Sequence, residues 1–132
     1  KPLILNGTIK ENLSYGCDQT PSDKEMIQLL EKFKVFNEES KINLNMVVSN
    51  RSLSSGQMQK ISFIRALLSD IDILILDEST SNLDSESRKL IFEILKRKNI
   101  TVINSTHNHE DFSYDCHLEI QVFESGASVV SR

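Results

Sequence analysis

The chain has 132 residues, of which 39% are hydrophobic and 26% charged, with a net charge of −4. That is ordinary material for one domain, or a piece of a larger one, and it lacks the basic excess a nucleic-acid backbone binder needs. Its longest apolar run, residues 71–76, is interrupted by Asp72 and falls far short of the roughly 20 residues of a spanning helix.

The two cysteines, Cys17 and Cys116, lie far apart and read as free thiols of a reducing compartment. No basic leader precedes an apolar stretch, and the first residue is Lys1, so the expectation is a fragment of a longer chain.

In chain order, Leu3-Ile4-Leu5 is strand-like and Asn6-Gly7 signals a turn. Ser22 followed by Glu25 forms a capping box. It opens a helix with Met26, Ile27, Leu30 and Phe33 on one face. Residues 37–52 are polar and irregular apart from Met46-Val47-Val48, and read as a loop with a short helical turn.

A second helix opens at Ser54-Ser55-Gly56, with Met58, Ile61, Ile64 and Leu68 at helical spacing. Residues 73–76 are continuously apolar, which predicts a strand buried on both faces, as in a parallel sheet. A third helix over residues 85–98 turns Leu90, Ile91, Ile94 and Leu95 inward and ends in basic residues that suit its dipole. Residues 100–103 form the next buried strand, and Leu118, Ile120 and Val122 begin a closing β-hairpin. Helix alternating with strand gives an α/β class.

Four places carry chemistry. Ser54, Ser55, Gly56 and Gln57 combine hydroxyls, an unobstructed backbone and a helix N-terminus, which suits an anion; plain N-capping by Ser54 or Ser55 accounts for the same residues. Asp77 and Glu78 end an apolar strand, where ligands bind in open α/β sheets. Asp77 there suits Mg²⁺ held through water, and Glu78 suits polarising an attacking water. The segment 79–84 follows directly, and His107 follows the next strand at the same edge. A zinc reading of His107, His109, Cys116 and His117 matches no common structural spacing.

In this order the four elements resemble the nucleotide-binding domain of ABC transporters, over nearly the whole chain. Residues 53–57 are similar to the signature LSGGQ, with Ser55 in place of its first glycine, and "QMQKISFIRALL" continues it as QRQRIAIARALL does. Residues 73–77 resemble Walker B, Glu78 the catalytic glutamate, Ser81 to Asp84 the D-loop, and His107 the switch histidine. Residues 5–12 resemble the LFxGTIxEN segment that follows the Q-loop in exporters.

The resemblance implies ATP and Mg²⁺ as ligands. Glu78 and His107 become catalytic, Asp77 becomes the Mg²⁺ residue, and Ser54, Ser55, Gly56, Gln57 and Asp84 become nucleotide-binding. It also implies head-to-tail pairing with a second nucleotide-binding domain, where each ATP lies between one domain's Walker A and the other's signature. No Walker A loop occurs in these residues, and the resemblance places it upstream of Lys1.

The expected fold is therefore part of an ABC-type P-loop NTPase core, with parallel strands, an α-helical subdomain and a C-terminal β-hairpin. Residues 1–70 form the helical subdomain, the first twelve leading in from the Q-loop region, and residues 71–132 form half of the ATPase core.

The expected function is ATP binding and hydrolysis at the cytoplasmic face of a membrane, driving export of a peptide, lipid or drug through transmembrane domains. The isolated fragment is expected to be inactive and to self-associate. The alternatives are a soluble ABC ATPase of DNA repair or translation, and a non-catalytic nucleotide-binding scaffold. Four departures bear on this reading, one of them the short gap from Asn37 to the signature. Ser55 adds a Cβ near phosphate, Met58 replaces a usual basic residue, and Val48-Ser49-Asn50-Arg51-Ser52 lacks the glycines and glutamate of the VGERG segment that senses transmembrane domains.

Overall fold

Asn6 leads into β1 (Gly7–Thr8) and directly into α1 (Ile9–Ser14) in the computed structural model, which describes residues 2–36, 41–78, 80, 82–106, 114–123 and 126–131. Thr8 caps α1 in a full capping box: its hydroxyl accepts from Glu11 N, and Glu11 Oε2 accepts from Thr8 N at 2.7 Å. Leu3-Ile4-Leu5 is not a strand. The buried Asn12 side chain accepts from Leu5 N at 2.8 Å and donates to Leu5 O at 3.1 Å, supplying from α1 the two bonds a neighbouring strand would make.

Ser22 caps α2 (Asp23–Lys32) by accepting from Glu25 N, and Met26, Leu30 and Phe33 are buried. β2 (Val47–Val48) pairs antiparallel with β1, Gly7 opposite Val48, where the sequence suggests only a loop. α3 (Ser55–Leu68), β3 (Ile73–Asp77), α4 (Ser85–Arg97) and β4 (Thr101–Ser105) follow. β3 and β4 are parallel with Ile73 opposite Thr101 and Asp77 opposite Ser105, so β3-α4-β4 is a βαβ unit. β5 (Leu118–Phe123) and β6 (Gly126–Ser131) form the expected antiparallel hairpin.

One apolar cluster runs from Ile9 and Leu13 of α1 through Met26, Leu30, Ile61 and Ile64 to Leu76, Ile91 and Leu95. The expectation that β3 and β4 are buried on both faces needs correction. Leu76 is buried, but Ile73 and Ile75 are 57% and 71% exposed, and Ile103 of β4 is 55% exposed. Side chains alternate across a strand, so Leu74 and Leu76 face the cluster while their neighbours face away from it. A continuous apolar run shows that both faces suit burial; among the described residues nothing covers the second face.

Candidate functional site

α3 has 14 residues and β3 five. At about 1.5 Å per helical residue and 3.3 Å per strand residue, their lengths are roughly 21 and 17 Å. The short link over residues 69–72 sends β3 back along α3, so the start of the helix and the end of the strand share an edge. They meet in a groove of about 940 Å³ lined by Ser55, Gln59 and Ser62 from α3, Asp77 and Glu78 from β3, and Asn82.

At the helix side, Ser54 is the N-cap: its hydroxyl accepts from Gln57 N at 3.2 Å, and Ser54 N donates to Gln57 Oε1 at 2.9 Å. The first intrahelical bond is Met58 N to Ser54 O. The amides of Ser55 and Gly56 lie before it, the donors a helix N-terminus leaves for an anion. Gln57 also donates from Nε2 to Val35 O at 3.0 Å, so both ends of its amide are engaged within the chain. Gly56 lies beside the segment after β3. A Cβ there would stand 3.3 Å from Asn82 O, tight enough to make the neighbour give way.

At the strand side, Asp77 and Glu78 are exposed. Glu78 has φ 45°, in the left-handed region that side-chain-bearing residues rarely adopt, and its N–H extends the β3–β4 ladder by donating to Ser105 O at 3.0 Å. Such a backbone costs on the order of 1 kcal/mol and persists only where its surroundings fix it. It turns the chain sharply off the strand at the acid.

Asp84 is the N-cap of α4. Oδ1 accepts from Ser87 N at 2.7 Å, Oδ2 accepts from Ser87 Oγ at 2.8 Å, and Lys60 Nζ lies 3.4 Å from Oδ2. The Ser87 amide first, then the Ser87 hydroxyl and Lys60, hold its carboxyl down at about 2 against an ordinary 3.8. His107 lies outside the described residues, as do Ser79 and Ser81. Among the described residues no cluster of His, Cys, Asp or Glu has the makings of a metal-ion site, and no helix is long and apolar enough to cross a membrane.

The structure thus brings Ser55, Asp77 and Glu78 to one groove, with Gly56 against the neighbouring Asn82 carbonyl. It commits the side chains of Gln57 and Asp84 to internal bonds. Two residues at this edge carry no sequence signal of their own beyond the continued signature. Gln59 is buried with its Oε1 unpartnered among the described residues, and Lys60 reaches Asp84.

The sequence profile of the ABC transporter family matches residues 2–81. The chain belongs to the ABC transporter family. It is 36% identical over 117 residues to the SPbeta prophage-derived sublancin-168-processing and transport ATP-binding protein of Bacillus subtilis strain 168, covering 86% of this chain and 17% of that protein. It is 37% identical over 134 residues to the alpha-factor-transporting ATPase of Saccharomyces cerevisiae, covering 100% of this chain and 10% of that one. The ATP-dependent lipid A-core flippase 2 of Colwellia psychrerythraea is 37% identical over 99 residues, covering 72% of this chain and 17% of the flippase.

A bacterial Atm1-family ABC exporter solved with ATP bound superposes with a TM-score of 0.67 at 24% identity, covering 83% of this chain and 20% of the exporter, a likeness that shows the fold. The chain therefore spans between a tenth and a fifth of the length of these ABC proteins.

Proposed function

We propose that the chain is the signature-bearing and Walker B-bearing part of an ATP-hydrolysing domain in an ABC exporter. The observation that carries this reading is the shared edge where the α3 amides and the β3 acids line or flank one groove. The named relatives, a sublancin-168-processing and transport protein, an alpha-factor-transporting ATPase and a lipid A-core flippase, support transport of a peptide, lipid or drug as the task here, at the cytoplasmic face of a membrane and beside transmembrane domains.

In this reading Glu78 orients and deprotonates the attacking water, with His107 as its companion at the γ-phosphate. The amides of Ser55 and Gly56, set by the Ser54–Gln57 cap, face the γ-phosphate of a nucleotide held mainly by a second, head-to-tail domain. Asp77 fits Mg²⁺: its carboxylate is exposed at the strand end and makes no hydrogen bond or ion pair within the described residues. Bound there, Mg²⁺ supplies charge neutralisation for the phosphates. Asp84 contributes by fixing the loop that leads into α4. Residues 1–70 and 71–132 then correspond to the helical subdomain and half of the ATPase core.

ATP turnover of the full-length protein, measured across Mg²⁺ concentrations, tests the two acids separately. Asp77→Asn should lose activity that excess Mg²⁺ partly restores, whereas Glu78→Gln should lose activity that no Mg²⁺ concentration restores. Equal rescue of both variants, or no loss in either, contradicts these roles.

A further inference from the structure

Lys60 lies one turn beyond Gly56 on α3, hence on the same face of the helix. Its side chain is only 14% exposed, and its ammonium sits 3.4 Å from Asp84 Oδ2. A lysine so enclosed needs a partner for its charge, and Asp84 is the carboxylate it has. The neighbouring Glu86 is taken by Lys34 at 3.3 Å.

The stretch from Asn82 to Asp84 is therefore held against α3 at two heights. Gly56 lets the Asn82 carbonyl approach the first turn, and Lys60 grips Asp84 one turn further on. Between these contacts Leu83 is buried in the same cluster as Ile61 and Ile64.

We propose that Lys60 is a positioning residue for ATP hydrolysis: by fastening Asp84 to the signature helix, it keeps Glu78 and the N-terminal amides of α3 at a fixed separation. The two halves of the groove then shift together or not at all. An exposed ion pair contributes almost nothing to stability, and the adjacent Lys34–Glu86 pair, exposed on both partners, is of that kind. Lys60 differs because its stem is enclosed and its head has Asp84 in reach, its one ion-pair partner among the described residues. The kinetic consequence rests on the ATPase reading above; the mechanical one does not.

The test compares Lys60→Met, Lys60→Arg, Asp84→Asn, the Lys60→Met/Asp84→Asn double variant and Lys34→Met in the full-length protein. Asparagine still caps a helix, so Asp84→Asn removes the charge and keeps the cap. Lys60→Met should lower kcat between roughly tenfold and a hundredfold, as expected of a displaced catalytic group, with KM for ATP within about twofold.

Lys60→Arg should restore most of the loss, and Lys34→Met should change nothing. The double variant should be no worse than the poorer single one, because the pair acts as a unit. Backbone amides of residues 82–88 should exchange hydrogen faster in Lys60→Met. An unchanged kcat in Lys60→Met, or additive losses in the double variant, overturns the proposal. Should the wild-type protein show no turnover, the ATPase reading fails on its own and the exchange measurement decides. Unchanged protection of residues 82–88 in Lys60→Met then sinks the positioning role.

Discussion

Gly56 shows how a single atom is excluded for reasons of space rather than dihedral angle. It sits within α3, in backbone any residue adopts, yet an added Cβ would press on Asn82 O from 3.3 Å. Replacing a helical glycine with alanine gains up to about 1 kcal/mol of helix propensity, which offsets the squeeze. Gly56→Ala should therefore move the melting temperature of the full-length protein by no more than a few degrees. Its ATP turnover should nevertheless fall, because the Asn82 loop is pushed off α3. Calorimetry beside a turnover assay separates the two effects.

Asp84 makes a prediction in pH. Its carboxyl is depressed to about 2 by the Ser87 amide, then by the Ser87 hydroxyl and Lys60. A depressed carboxyl stabilises the fold above its ordinary value near 3.8 and loses that contribution as pH falls through about 2. Wild type should thus be more stable than Asp84→Ala near neutral pH, with the gap narrowing between about pH 4 and 2. The effect is modest, since more than half of the Asp84 side chain is exposed. Chemical denaturation midpoints across this range give the difference directly.

At the scale of elements, α1 shows what a buried polar side chain can hold. Asn12 is fully buried, bonds Leu5 on both sides and also donates to Thr8 O, while the Arg65 guanidinium donates to Leu3 O and Asn12 O. Asn12→Leu keeps the volume and strands Leu5 N and O. A fully buried group left unpaired costs about 1–3 kcal/mol and these two are part-buried, so the loss should exceed roughly 1 kcal/mol in equilibrium unfolding. A loss below 0.5 kcal/mol (roughly the noise of a neutral surface change) would show that water replaces the side chain.

α2, α3 and α4 are legible in the sequence because each carries a cap and an apolar stripe, and Met26, Leu30, Ile61, Ile64, Ile91 and Leu95 all reach the core. α1 and the β1–β2 pair are not. A two-residue strand has no period to detect, and six residues of helix fall short of two turns. The available signal is the Thr8-x-x-Glu11 box, which the structure shows closed on both sides.

α3 and α4 are further tied at both ends, by Lys60–Asp84 at one and by Lys98 Nζ donating to Leu67 O at the other. Neither tie is readable from spacing, because each joins residues 24 or 31 positions apart.

For the whole molecule, motif order carries most of the candidate site. It places Ser55, Asp77 and Glu78 together, which the antiparallel course of α3 and β3 then makes concrete. It does not reveal that the Gln57 amide is spent inside the chain, or that Lys60 joins the edge, because those depend on how α2 and α4 pack.

The outward face of β3 and β4 leaves Ile73, Ile75 and Ile103 uncovered, and the hairpin exposes Leu118, Ile120 and Val122. Apolar patches of this extent are unusual on soluble monomers. The 132 residues expressed alone should self-associate and should not turn over ATP, since they contain no lysine-bearing phosphate loop. Light scattering showing a monodisperse monomer at high concentration, or Mg²⁺-dependent turnover lost in Glu78→Gln, contradicts those two expectations.

The central claim is that the β3 end is a hydrolytic centre, and Glu78→Gln in the full-length protein tests it most directly. Glutamine keeps the shape and the reach but gives up proton acceptance, worth about 10²–10⁴ in rate. The account predicts that this variant binds ATP, closes as a stable nucleotide-bound pair of domains and stalls. Hydrolysis at a near wild-type rate would contradict it and favour a nucleotide-binding scaffold instead.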